Sequence, residues 1–182
     1  MPIAFEEISF EKYFDHVINY PVLYDTRDKN YIKPNGQSFK DFIQGDFKNL
    51  KEKANLKDFE NHLSTIFTEI RLKKYIELRS LDTCDSGCIC NGPAFFTGIF
   101  YGPLDEVFNI VTKWKKKNVI NAYLESTKKG LNTELEGKKM YEWGEIFLKI
   151  SKNGLIERKK LNENNKDETI YLKHIEEIIE KK

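Results

Sequence analysis

Glu77 and Arg79 lie two residues apart in the stretch YIELRSLD, residues 75–82. Residues i and i+2 of a strand project from one face, so a carboxylate and a guanidinium would stand side by side. A carboxylate so placed can hold a hard cation such as Mg²⁺. A neighbouring guanidinium can fork onto a phosphoryl group bridged by that cation. Phosphoryl transfer asks for little beyond such positioning and charge neutralisation. On the pattern alone a second reading is the simpler one. The same charges could line the solvent side of an antiparallel sheet, pairing across strands.

The alternation reaches upstream. Even positions run Ile70, Leu72, Lys74, Ile76 and Leu78, and odd positions run Arg71, Lys73, Tyr75, Glu77 and Arg79. It predicts a strand with one mostly apolar face and one almost wholly charged face. Four segments before it have their own signals. Phe10, Tyr13, Phe14, Val17 and Ile18 recur at helical spacing, with Ser9 as cap and Pro21 as terminator. Residues 22–33 read as extended, with Tyr24 and Tyr31 either side of a polar turn, and PNGQ at 34–37 is a further turn. SFKDFI at 38–43 opens a short helix capped by Ser38. Residues 56–67 predict an amphipathic helix with Leu56, Phe59, Leu63 and Phe67 on one side.

Downstream, a cysteine-rich loop at 83–92 leads into PAFFTGIFYG, a buried helix from Pro93. Helices follow at 104–115, 119–129, 140–152 and 168–180. The class is α+β, in a single domain over residues 1–182. Only about three strands are legible, fewer than a free-standing sheet uses. Something outside the chain would then complete the sheet.

Other candidates carry less. Cys84, Cys88 and Cys90 form a C-x3-C-x-C cluster. A structural zinc would need a fourth ligand, and His16, His62 and His174 are all remote in sequence. Loop and core thiols are expected, with a redox-sensitive pair as the minor reading. His62 precedes the charged strand and could approach a site, but a satisfied histidine is the simpler expectation for all three. KWKKK at 113–117 reads as a solvated helix C-terminus, where lysines suit the dipole. The ten glycines form no phosphate loop.

The totals exclude several classes. Lys+Arg is 30 against 29 for Asp+Glu, so the basic excess that nucleic-acid binding needs is missing. No run of 18 apolar residues exists, so no membrane span is expected. The N-terminus MPIAFEEISFEKYF has no secretory pattern. Three cysteines, an odd number, suggest a reducing cytoplasmic setting.

Three ordered motifs carry a resemblance. NHLSTIFTEIRLKKYIELRSLD, residues 61–82, resembles the C-terminal half of glutamate–cysteine ligases, in the plant and proteobacterial branch. There the pattern is H-L-T-T-[IL]-F-P-E-V-R-L-K-R-Y-[IL]-E-x-R-x-x-D, and Thr68 stands here in place of the usual proline. GQSFKDF at 36–42 and PAFFTGIFYG at 93–102 match two further motifs of that branch, and the likeness runs from about residue 8 to 180.

The resemblance implies a fold similar to glutamine synthetase, with an active-site bowl lined by an antiparallel sheet. It implies ATP-dependent ligation of glutamate to cysteine through γ-glutamyl phosphate, with Mg²⁺ as cofactor. Carried over by motif, Glu77 would be a metal ligand and Arg79 would contact the transferred phosphoryl group. Ligases of this family are much longer, so a separate N-terminal half would be the partner. The alternative is a non-catalytic remnant or interaction module that keeps the fold alone.

Overall fold

The computed structural model describes residues 9–27, 30–32, 34–47, 52–81 and 86–181. The chain falls into two compact units, Met1–Leu81 and Asp82–Lys182. The described residues form helices and three antiparallel two-stranded sheets, an α+β composition as expected.

In the first unit, α1 spans Phe10–Ile18, and Ser9 caps it by accepting the Lys12 N–H at 3.2 Å. Its buried stripe is Tyr13, Val17 and Ile18. The hairpin β1 (Asp25–Arg27) and β2 (Asn30–Ile32) sets Thr26 opposite Tyr31. Helix α2, Phe39–Gln44, begins with a reciprocal box. Ser38 Oγ accepts the Asp41 N–H while the Asp41 carboxylate accepts the Ser38 N–H at 2.8 Å. It ends at Gly45, whose φ of 86° suits only a residue without a Cβ.

Helix α3, Leu56–Ser64, is capped by a second such box, between Asn55 and Asp58. The expected stripe is corrected here. Leu56 is 75% exposed and Phe67 70% exposed, while Asp58 and His62 are buried. The helix stops at Ser64, where the Thr65 N–H turns back to the His62 carbonyl, so Phe67 has left helical register. Two clusters fill the unit, one around Ile18, Val22, Phe39, Phe42 and Phe47, the other around Tyr13, Val17 and Ile66.

The alternating segment is a hairpin rather than one strand. Strand β3 is Ile70–Leu72 and β4 is Ile76–Leu78, paired so that Ile70 faces Leu78, Arg71 faces Glu77 and Leu72 faces Ile76. Residues paired across this turn keep the same parity, so the even and odd faces survive the reversal. Their burial does not follow polarity. Arg71 is buried, whereas Ile70 and Ile76 are exposed.

In the second unit, α4 is Asn91–Phe100, α5 Leu104–Val111, α6 Lys116–Lys129, α7 Met140–Arg158 and α8 Lys173–Glu180, with a 3₁₀ turn at Glu168–Leu172. A short hairpin, β5 (Glu134–Leu135) and β6 (Lys138–Lys139), precedes α7. Helices α4 and α7 meet backbone to backbone. A Cβ on Gly98 would strike the Ser151 carbonyl, and one on Gly154 would strike the Gly98 carbonyl. Ala94, Leu148, Leu155, Leu172 and Ile179 form the core.

The lysine run at 113–117 is a further correction. It lies between α5 and α6 and starts the second helix instead of ending the first. The Lys115 N–H at the helix start donates to Glu136 at 2.7 Å, and Asn118 reaches the same oxygen at 2.9 Å. Trp114, inside the run, packs edge-on against Trp143 at 5.0 Å.

Candidate functional site

The charged face of the 70–78 hairpin gathers three ionic side chains. Arg71, on β3, lies opposite Glu77 on β4. Arg79 follows β4, and its N–H donates to the Glu69 carbonyl at 2.8 Å, which extends the pairing by one step. Glu77 and Arg79 therefore share a face, as their spacing predicts.

The contacts are dense. Arg71 donates from Nε to Glu77 Oε2 at 2.9 Å, and from Nη2 to Oε2 at 2.7 Å and Oε1 at 3.0 Å. Arg79 donates from Nη1 to Oε1 at 3.0 Å. A carboxylate offers about four lone-pair sites, and these four contacts use them all. The Arg71 hydrogen bonds, foremost, and then Arg79 hold the Glu77 carboxyl below its ordinary range against the effect of desolvation. Glu77 is therefore a carboxylate at neutral pH.

The two arginines sit differently. The Arg71 side chain is 8% exposed. Its Nη1 also donates to the carbonyl of Ser64, the last residue of α3, and to that of Ile66 at 3.5 Å. It thus caps carbonyls that a helix end leaves without partners. The Arg79 side chain is 28% exposed, and its guanidinium lies 5.4 Å from the centroid of the Phe67 ring. Sequence reasoning placed Arg71 on the charged face but gave it no role, because a single strand would carry it far from Glu77. A turn at residues 73–75 was the missing signal.

Tyr13 ties the hairpin to α1, its hydroxyl accepting the Leu72 N–H at 3.0 Å. His62 ties α1 to α3. Its Nε2 lies 2.8 Å from the Val17 carbonyl, and its ring stacks on Phe39 at 4.7 Å. Burial lowers the affinity of this imidazole for a proton, so His62 is a neutral core group that serves packing. His16 sets its ring edge-on to Tyr20. His174, on α8 in the second unit, lies 4.0 Å from Glu177.

The cysteines depart from the expectation of free thiols. Cys88 is disulfide-bonded and buried, and Cys90 is free and exposed at the start of α4. Cys84 lies outside the described residues. Among the described residues, no three His, Cys, Asp or Glu side chains gather as a metal-holding group. No helix among them is long and apolar enough to cross a membrane.

A family model described as glutamate-cysteine ligase family 2 matches residues 1–181. The chain is 34% identical over 164 residues to "Glutamate--cysteine ligase A, chloroplastic" of Oryza sativa subsp. indica, covering 87% of this chain and 33% of that protein. It is 32% identical over 183 residues to "Glutamate--cysteine ligase, chloroplastic" of Solanum lycopersicum, covering 98% and 34%. The corresponding protein of Arabidopsis thaliana is 31% identical over 164 residues. The chain thus spans about a third of the length of these relatives. Their names overturn the cytoplasmic location expected from the cysteine count. An odd number of cysteines bears on redox conditions and does not identify a compartment.

Proposed function

The chain belongs to glutamate–cysteine ligase family 2, and we propose that it supplies part of the active site of a ligase joining the γ-carboxyl of glutamate to the amine of cysteine. ATP would activate the glutamate as γ-glutamyl phosphate, and the amine would displace phosphate, the first step of glutathione synthesis. The supporting observation is the shared face of Glu77 and Arg79, held from behind by Arg71. All of residues 1–182 would form one portion of a catalytic domain similar in fold to glutamine synthetase. The 70–78 hairpin would join a larger antiparallel sheet as part of its floor.

Mg²⁺ would take Glu77 as one of several ligands rather than be caged by this chain, and only once a guanidinium leaves the carboxylate that the two arginines now fill. Glu77 is an ionised oxygen donor, and Mg²⁺ at phosphates commonly takes one or two carboxylates. When bound, the ion would neutralise charge on the phosphoryl oxygens. Glu77 would hold one side of it, and Arg79 would fork onto the transferring group. The remaining ligands, the nucleotide pocket and the other strands would come from the rest of the longer ligase, either in the same polypeptide or as an N-terminal half.

The rival reading is a non-catalytic module in which the Arg71–Glu77–Arg79 cluster only fastens the hairpin. An assay of ADP release dependent on both glutamate and cysteine separates the two. We expect no such release from the 182-residue chain alone, and turnover when the remainder of a plant-type ligase is supplied. Turnover by the chain alone would show that the missing ligands lie within it. No turnover from any assembly that binds the chain would favour the module.

A further inference from the structure

We infer that Arg71 is a positioning residue for this chemistry: it holds Glu77 by two contacts to Oε2 and one to Oε1, and the single position on Oε1 that Arg79 fills is the one released to a phosphate-bridged cation. The inference rests on the ligase reading above. Four guanidinium contacts occupy Glu77, so a cation can bind there only if a guanidinium withdraws.

The two guanidiniums do not withdraw with equal ease. Arg71 is nearly sealed from solvent, makes both contacts to Oε2 and also satisfies the Ser64 and Ile66 carbonyls. Moving it would strand a buried cation and two acceptors. Arg79 makes one contact, to Oε1, and rests against an exposed phenyl ring. A solvent-exposed ion pair of this kind contributes little, and a ring face does not fix the rotation of the group above it. Arg79 is therefore the partner that exchanges.

Charge says what it exchanges for. Two arginines and one glutamate give the cluster a net charge of +1. A bare divalent cation meets repulsion there, whereas a phosphate-bearing complex is attracted. As Arg79 turns to the phosphoryl oxygens, its position on Oε1 opens toward the cation, while Arg71 Nη2 keeps its own contact to that oxygen. Oε2 stays on Arg71, so the carboxylate keeps its direction throughout.

The test has two arms. In urea unfolding of the chain, a double-mutant cycle with Arg71→Ala and Glu77→Gln should show about tenfold coupling in the folding constant. The cycle with Arg79→Ala should show less than about threefold. If Arg71→Ala does not fold, Arg71→Lys replaces it in the same cycle. In the assembled ligase, Arg71→Lys should raise the half-saturating Mg²⁺ concentration about tenfold while kcat at saturating Mg²⁺ stays within about threefold. A purely structural arginine would leave the Mg²⁺ dependence unchanged, and that result overturns the inference. Coupling through Arg79 equal to that through Arg71 overturns it as well. An assembly inactive with the unaltered chain defeats the ligase reading itself and takes the inference with it, so the two failures are distinct.

Discussion

Glu77→Gln is expected to reduce ligation by the assembled enzyme on the order of 10³-fold, since a metal's charge stabilisation amounts to several kcal/mol. Glutamine keeps the shape of glutamate but loses the anionic oxygen that a hard cation needs. It also presents an amide N–H₂ to the Arg71 guanidinium, which can only donate. The substitution therefore weakens the hairpin as well as the site. Circular dichroism and a urea midpoint on the same preparation separate the two effects, because the activity loss should persist in protein that is demonstrably folded. Partial recovery at high Mg²⁺ would mark the defect as one of metal binding. Unchanged activity at ordinary Mg²⁺ would remove Glu77 from the site.

Arg79→Lys is expected to lower kcat on the order of 10²-fold, the usual scale for losing one transition-state electrostatic contact. Lysine keeps the charge and loses the planar fork, so it cannot make two parallel contacts to a phosphoryl group. Because Arg79 contributes only one exposed contact to Glu77, the stability of the chain should be nearly unaffected. The contrast is diagnostic: Glu77 affects both fold and turnover, while Arg79 affects turnover. Steady-state kinetics over ATP and glutamate check it, and a defect confined to ATP affinity would assign Arg79 a different job.

Much of the scaffold behind these residues was legible because it is fixed locally. Ser9 and Ser38 cap α1 and α2 where a hydroxyl precedes an apolar periodic run. Thr26 pairs with Tyr31 across the turn that the polar residues between Tyr24 and Tyr31 suggested. The second unit is helical as expected, although α5 stops at Val111, α7 runs on to Arg158, and the stretch from 168 opens with a 3₁₀ turn before α8.

The site was legible in part, and the reason lies in parity. Pairing Arg71 with Glu77 across a hairpin preserves the odd face, so alternation correctly grouped Arg71, Glu77 and Arg79. The same preservation hid the turn at 73–75, and with it the contact between Arg71 and Glu77. Burial was misjudged for a related reason. The helix end at Ser64 offers unpaired carbonyls that a guanidinium can satisfy, so the charged side of β3 turns inward while Ile70 and Ile76 face out. The run at 113–117 misled because its helix-start partner, Glu136, is distant in sequence. The cysteine pattern could not show that Cys88 is disulfide-bonded.

The most direct test of the central claim follows an oxygen atom. Glutamate labelled with ¹⁸O in its γ-carboxyl is supplied with ATP, cysteine and Mg²⁺ to the assembled ligase, and the released phosphate is analysed by mass spectrometry. If the Glu77–Arg79 face supports transfer of a phosphoryl group to that carboxyl, one labelled oxygen accompanies each phosphate as the amine displaces it. The labelling rate should then fall with Arg79→Lys in step with ligation. Ligation that releases unlabelled phosphate, or labelling that proceeds undiminished in Arg79→Lys, would contradict the account.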